Sequence, residues 1–283
     1  MGFFLYTLLA SLVIIDSFAL KPINVIIVGG SSGMGKAAAL STIEHGGKCL
    51  LVSRTKEKLQ AAKEYLSSKV DNADIEFSVL DATNEQAVKD FAEGLSEETW
   101  DSLVISAAGK APHGSMAELA TSKTRDMMES KFWSAYNCAK YVSAKLRKGG
   151  CVVFVAGILN RRPGINCVPL AITNGALEAL TKALALEWGP RLRVNCVSPG
   201  FCETERFNHL SEERKEQMMA NTAASLPLQK VGEPKDMGEA IYYLLTANFC
   251  TGVILDVDGG HGIRQLSICW GIFCLSWIDH AFN

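Results

Sequence analysis

The sequence predicts an α/β fold built as one doubly wound parallel sheet. Three observations predict it. From Asn24 onward, strand-like apolar runs alternate with helical stretches. The runs are rich in β-branched residues and nearly continuously apolar, as expected of strands covered on both faces. The first run passes directly into a glycine cluster and then into a helix. Repeated β-α order implies parallel strands joined by right-handed crossovers. Ligands then bind beyond the carboxyl ends of the strands, where strand order reverses.

The first strand is expected at residues 24–28 and its helix at 36–45. Residues 48–53 read as the second strand, with a helix at 56–67. The third strand falls at 75–80 and is followed by a helix at 85–95. The fourth, 102–106, precedes a long helical stretch at 125–145. The fifth, 151–156, precedes a helix at 176–187, and the last two strands take 193–197 and 253–257. Between those two, the segment 207–226 mixes Leu210, Met218, Met219 and Leu226 with Glu212, Arg214 and Lys215 and reads as a lid over a substrate site. Helical spacing alone explains its charges as a solvated face.

The chain has 283 residues, 48% hydrophobic and 20% charged, which supplies a core and argues against disorder. Its net charge of -2 offers no basic field for nucleic acid. No linker or repeat divides it, so one domain over 20–262 is expected. The ends differ. Residues 3–15 form an apolar run too short for a membrane span, which needs about 20 residues. Ser17 and Ala19 are spaced for signal-peptidase cleavage. The segment 1–19 therefore reads as a signal peptide or an uncleaved anchor. The first reading implies the secretory pathway or endoplasmic reticulum; without a signal the chain would be cytoplasmic. An apolar tail, 263–283, carries Trp270, Phe273 and Trp277 and leaves membrane contact through the termini open. The nine cysteines contain no Cys-x-x-Cys pair, so no zinc or other metal site is expected. Most lie in apolar patterns and should pack as small hydrophobes.

The glycine cluster reads Gly29-Gly30-Ser31-Ser32-Gly33-Met34-Gly35. Glycine at 29, 33 and 35 permits close backbone approach and positive φ. The helix start supplies unpaired N–H groups and the positive end of a dipole, which suits a pyrophosphate. With a strand before and a helix after, this is the context of a Rossmann-type dinucleotide site. At the end of the second strand stand Ser53 and Arg54, where an NAD site wants a carboxylate. An arginine there attracts a 2′-phosphate, so NADP(H) is expected over NAD(H).

The G-x-x-x-G-x-G spacing resembles the short-chain dehydrogenase/reductase family, over about residues 24–260. Val28 stands where that family usually has threonine. The resemblance implies that Asp81 and Ala82 meet adenine, that Ala107, Ala108 and Gly109 leave room for adenine and ribose, and that Pro199, Gly200 and Thr204 lie against the nicotinamide carboxamide. It also implies a homodimer or homotetramer, and hydride transfer with a small carbonyl or alcohol substrate. The segments 227–234 and 258–260 are similar to the family as well.

The family's catalytic serine, tyrosine, lysine and asparagine do not recur. The serine place falls on Ala156 or Gly157, the tyrosine place on Leu170, the lysine place on Asn174 and the asparagine place on Lys131. Tyr136 with Lys140, and Tyr141 with Lys145, repeat the tyrosine-lysine spacing, but both precede the fifth strand and read as surface pairs. Two readings follow. One is an oxidoreductase with an altered catalytic centre: Lys131 as acid or oxygen stabiliser, Asn174 bonding the ribose, and His113 in the loop after the fourth strand, at the catalytic end of the sheet. The other is a catalytically inactive NADP(H)-binding sensor, scaffold or dimer partner. Lys131 is alternatively a structural lysine paired with a carboxylate such as Glu129. Arg161 and Arg162 face either an anionic substrate or solvent.

Overall fold

The apolar runs become seven strands: β1 (Asn24–Val28), β2 (Lys48–Ser53), β3 (Ile75–Val79), β4 (Trp100–Ile105), β5 (Leu146–Val155), β6 (Leu192–Pro199) and β7 (Ile254–Val257). The computed structural model describes residues 22–263. The strands form one parallel sheet in the order β3-β2-β1-β4-β5-β6-β7. β1 pairs with β2 on one side and β4 on the other, so the winding direction reverses between β1 and β4. A crevice opens above that point.

Among the described residues, eight α-helices connect them: α1 (Gly33–Glu44), α2 (Lys56–Ser67), α3 (Glu85–Glu93), α4 (Thr121–Met127), α5 (Ser134–Val142), α6 (Val168–Trp188), α7 (Glu212–Ala224) and α8 (Pro234–Thr246). The two-residue period of the strands divides the core in two. Ile26, Val28, Leu103, Ile105, Val152 and Phe154 face α3, α5 and α6, meeting Val88, Ala135, Cys138 and Leu177. Val25, Ile27, Leu51, Val104 and Val153 face α1, α2 and α8, meeting Ala38, Ile43, Leu59, Leu66 and Ile241. Both faces are therefore buried, which is why the central strands read as unbroken apolar runs.

Several expectations shift. β3 is an edge strand with Val79 half exposed, so the rule of two covered faces fails there. The helix expected at 176–187 begins at Val168, with Pro169 in its first turn where no N–H partner is needed. The stretch expected at 125–145 starts at Thr121. It is interrupted by a π-helical segment, Met128–Trp133, and gives way to a 3₁₀ turn at Ser143–Lys145. α8 has no counterpart among the expected helices, and its Pro234 and Gly238 are residue types that ordinarily interrupt a helix. Pro234 instead occupies the first turn, and Asp236 accepts a hydrogen bond from the Glu233 N–H at 2.8 Å. Gly238 lets α8 lie against α1, since a Cβ there would come within 2.6 Å of the Ala37 carbonyl oxygen. Cys49, Cys138, Cys151, Cys196 and Cys202 are buried free thiols, as apolar packing requires. Among the described residues no helix is long and apolar enough to cross a membrane. The segments read as signal or anchor and as apolar tail lie outside the described residues, apart from Ile263.

Candidate functional site

The loop from β1 to α1 is shaped by its glycines. Gly29 has φ +89, and a Cβ on it would lie 2.7 Å from the Ala107 nitrogen, so the strand ends of β1 and β4 meet backbone to backbone. A Cβ on Gly35 would overlap the Gly29 carbonyl oxygen. Gly33 has φ +52 and begins α1, with nothing closer than 3.6 Å to the position of its missing Cβ. The loop and helix start therefore leave backbone accessible at the N-terminus of α1, whose first N–H, on Gly33, donates to Glu205 Oε2 at 2.8 Å.

That backbone forms part of a cleft over the switch point. Gly29, Ser31, Ser32, Gly33, Met34, Ser53, Arg54, Asp81, Ala82, Ala107, Ala108, Gly109 and Thr204 line it. The cleft gathers the loops that follow β1 to β4, together with Thr204 beyond β6. Gly35 is buried beneath it, and Pro199 and Gly200 are engaged with β7, where Gly200 N–H donates to the Val257 carbonyl at 3.0 Å. Thr55, Lys58, Thr83, Ser130 and Ser134 also line the cleft and were not read from the sequence. Lys58 carried a signal, since it stands in the first turn of α2 beside Arg54. Ser130 and Ser134 carried none, because their approach depends on how the π-helical segment crosses the sheet end.

The residues present fit a dinucleotide. Ser53 Oγ is buried and has no hydrogen-bond partner among the described residues, which a ribose hydroxyl or phosphate would satisfy. Arg54 and Lys58 put two cations at the same end of the cleft. Asp81 is exposed, and its carboxylate accepts from Thr83 N–H at 3.1 Å and Thr83 Oγ1 at 2.8 Å.

Lys131 and Asn174 come together behind this cleft. Lys131 sits in the π-helical segment, only 8% exposed. Its Nζ donates to the Ala156 carbonyl at 2.8 Å and to Asn174 Oδ1 at 2.6 Å. Glu129, on the same segment, is not its partner. Burial pulls the Lys131 ammonium down to about 8, because a charge in a dry environment favours losing its proton. Asn174 is 2% exposed on α6, one turn after the buried Leu170. A Cβ on Gly157 would sit 2.9 Å from Asn174 Nδ2, so any side chain at 157 requires the amide to move. Neither Lys131 nor Asn174 lines the cleft, although Ser130 and Ser134 beside Lys131 do.

The other candidates separate from this pair. His113 is exposed, with Nδ1 3.5 Å from Cys167 Sγ. Arg161 is held by Asp256, by Ser198 Oγ at 2.8 Å and by Glu178 at 3.2 Å, so it braces the loop after β5 while its side chain stays 40% exposed. Tyr141 Oη donates to Glu85 Oε1 at 2.7 Å and Lys140 approaches the same oxygen at 3.2 Å, a surface pairing. Over the segment read as a lid, α7 has no buried residue, and Leu226 beyond it is buried.

A family model described as enoyl-(acyl carrier protein) reductase matches residues 28–262. A short-chain dehydrogenase/reductase of Stachybotrys chlorohalonatus is 30% identical over 245 residues, covering 84% of this chain and 96% of that protein. A 3-oxoacyl-[acyl-carrier-protein] reductase of Chlamydia muridarum is 26% identical, over 83% of this chain and 95% of its own length. Among solved structures, a small-chain dehydrogenase in complex with NADPH is 27% identical, with a TM-score of 0.70 over 86% of this chain and 99% of its own. The NADPH-bound short chain oxidoreductase of Pseudomonas aeruginosa PAO1, described as containing an atypical catalytic center, is 26% identical, with a TM-score of 0.79 over 86% of this chain and 98% of its own.

Proposed function

The chain belongs to the short-chain dehydrogenase/reductase family, and from that premise we propose that it is an NADP(H)-dependent oxidoreductase that interconverts a carbonyl and an alcohol, with Lys131 as its proton donor and acceptor. The observation that carries this reading is the buried Lys131 ammonium, held by Asn174 Oδ1 and the Ala156 carbonyl and pulled down to about 8. A group that titrates near working pH is an effective general acid.

Gly29, Gly33 and the start of α1 would hold the diphosphate, and Ser53, Arg54 and Lys58 the 2′-phosphorylated ribose. A guanidinium and an ammonium at that end favour the phosphorylated ribose over a plain one. Bound there, the nicotinamide would supply or accept the hydride. Lys131 delivers a proton to the substrate oxygen as negative charge develops on it, leaving a neutral amine, and is reprotonated from solvent. In the oxidation direction the amine removes that proton. Asn174 Oδ1 and the Ala156 carbonyl orient the ammonium and accept from it in the resting state. Reaching a substrate requires Lys131 to extend toward the cleft past the turn whose Ser130 and Ser134 line it. Exposed Trp133, Tyr136, Val168 and Ile172 on the α5 and α6 side support association into a homodimer or homotetramer.

One observation favours the second reading, an NADP(H)-binding sensor, scaffold or dimer partner without catalysis: Lys131 and Asn174 satisfy each other outside the cleft. NADPH oxidation against a panel of aldehydes and ketones separates the two. The oxidoreductase reading expects turnover that falls about 10²–10⁴-fold in Lys131→Ala, with NADPH preferred over NADH. Tight NADPH binding with no turnover on any carbonyl in the panel would establish the second.

A further inference from the structure

The anion-binding corner of the cleft carries a carboxylate of the chain's own. Glu205 follows Thr204 in the segment that leaves β6 for α7. Its Oε2 accepts from the Gly33 N–H, the first residue of α1, at 2.8 Å. Its Oε1 accepts from Lys36 Nζ at 2.6 Å, in a pair whose side chains are 40% and 25% exposed. Burial opposes ionisation of this carboxyl, but the Lys36 hydrogen bond and charge and the Gly33 N–H outweigh it and hold the group below the usual carboxylate range.

A helix start and one lysine form a single anion site, and a carboxylate is the simplest mimic of a phosphate oxygen pair there. Thr204 and Glu205 lie directly over the glycine, with Thr204 Cγ2 at 3.6 Å and Glu205 Oε2 at 3.7 Å from the position a Gly33 Cβ would take. The same segment continues through Phe207, whose ring stacks on Phe201 at 5.2 Å, into α7, none of whose residues is buried. The contact thus ties the root of a weakly held lid to the floor of the cofactor cleft.

We propose that Glu205 is an internal stand-in for the cofactor diphosphate: an autoinhibitory contact at the start of α1 that is expelled on loading, handing the Gly33 N–H and Lys36 to the phosphates and releasing the segment between β6 and α7. The inference rests on the reading of this cleft as a dinucleotide site. Every nucleotide that brings a diphosphate competes with Glu205; a ligand confined to the adenosine end does not.

The test is calorimetric titration of wild type, Glu205→Gln and Glu205→Asp with NADPH and, in parallel, with adenosine 2′-monophosphate, which lacks the diphosphate. Aspartate keeps the charge but is one methylene, about 1.5 Å, too short to reach both partners. The gate expects NADPH to bind about five- to tenfold tighter in both variants, while adenosine 2′-monophosphate binds all three proteins alike. Tightening in Glu205→Gln but not in Glu205→Asp would mean plain charge repulsion and overturn the gate. So would equal NADPH affinity in wild type and both variants, or equal tightening toward both ligands. Absence of NADPH binding by all three proteins would remove the cofactor reading and the gate together.

Discussion

Lys131 binds its proton less well in the folded chain than in the unfolded one. Its ammonium is drawn from 10.5 to about 8 by burial. Below about pH 8 both states hold the proton, and the cost of burying the charge is fully present. Between about 8 and 10.5 the unfolded chain still holds a proton that the folded chain has shed, so folding stability contributed by this residue rises with pH. The comparison protein is Lys131→Met, which keeps the length and loses the charge. Urea unfolding of both proteins at pH 7.5 and pH 10 should show wild type gaining on the variant by about 2–3 kcal/mol across that interval. Buried thiols away from Lys131, such as Cys138, which burial pushes up to about 12, are the same in both proteins and cancel. A flat difference would mean that Lys131 is solvated and lacks the heightened acidity the catalytic reading needs. The pair itself was half legible. Alignment of sequence patterns put Lys131 and Asn174 on the list, but nothing in the sequence joined them. Their 2.6 Å contact depends on a π-helical segment that re-aims one residue of an otherwise ordinary helix. Glu205 was not legible at all, because its partners are 172 and 169 residues away.

At the scale of elements, the position of α1 decides whether the cleft exists, and α8 decides the position of α1. Their backbones approach because residue 238 has no side chain: a Cβ there would come 2.6 Å from the Ala37 carbonyl oxygen and 2.9 Å from Ser41 Oγ. Gly238→Ala should therefore cost about 1–3 kcal/mol by overpacking, despite alanine's better helix propensity. By tilting α1 it should also weaken NADPH binding. Gly175→Ala, in α6, is the control: its nearest neighbour would be Asn160 Cβ at 3.6 Å, an ordinary contact. There propensity alone acts and stability should rise by about 0.5–1 kcal/mol. Thermal melts of the two variants moving in the same direction would sink the packing argument. The strands were legible because periodicity and β-branching speak locally. The span of α6 and the existence of α8 were less so. In each, a proline that looks like a stop stands in the first turn, and the glycine that looks like a break in α8 serves a neighbour far away in sequence.

Over the whole molecule, the cleft is assembled from segments that only the folded sheet brings together: the loops after β1, β2, β3 and β4, the turn carrying Ser130 and Ser134, and Thr204 beyond β6. A ligand that bridges them binds the native state and has nothing to bind in the unfolded chain. Mass action then raises stability by about 2.7 kcal/mol at a hundredfold excess over Kd. For a domain of this size, about 2–4 °C per kcal/mol converts that into a shift of roughly 5–10 °C. NADPH should produce it. NADH at the same concentration should produce less, because Arg54 and Lys58 then face a ribose without its phosphate. The difference should vanish in Arg54→Ala with Lys58→Ala, where both nucleotides present the same diphosphate to the same helix start. Equal shifts from NADPH and NADH in wild type would refute the assignment of those two cations to the 2′-phosphate, while leaving the grip of α1 on the diphosphate intact.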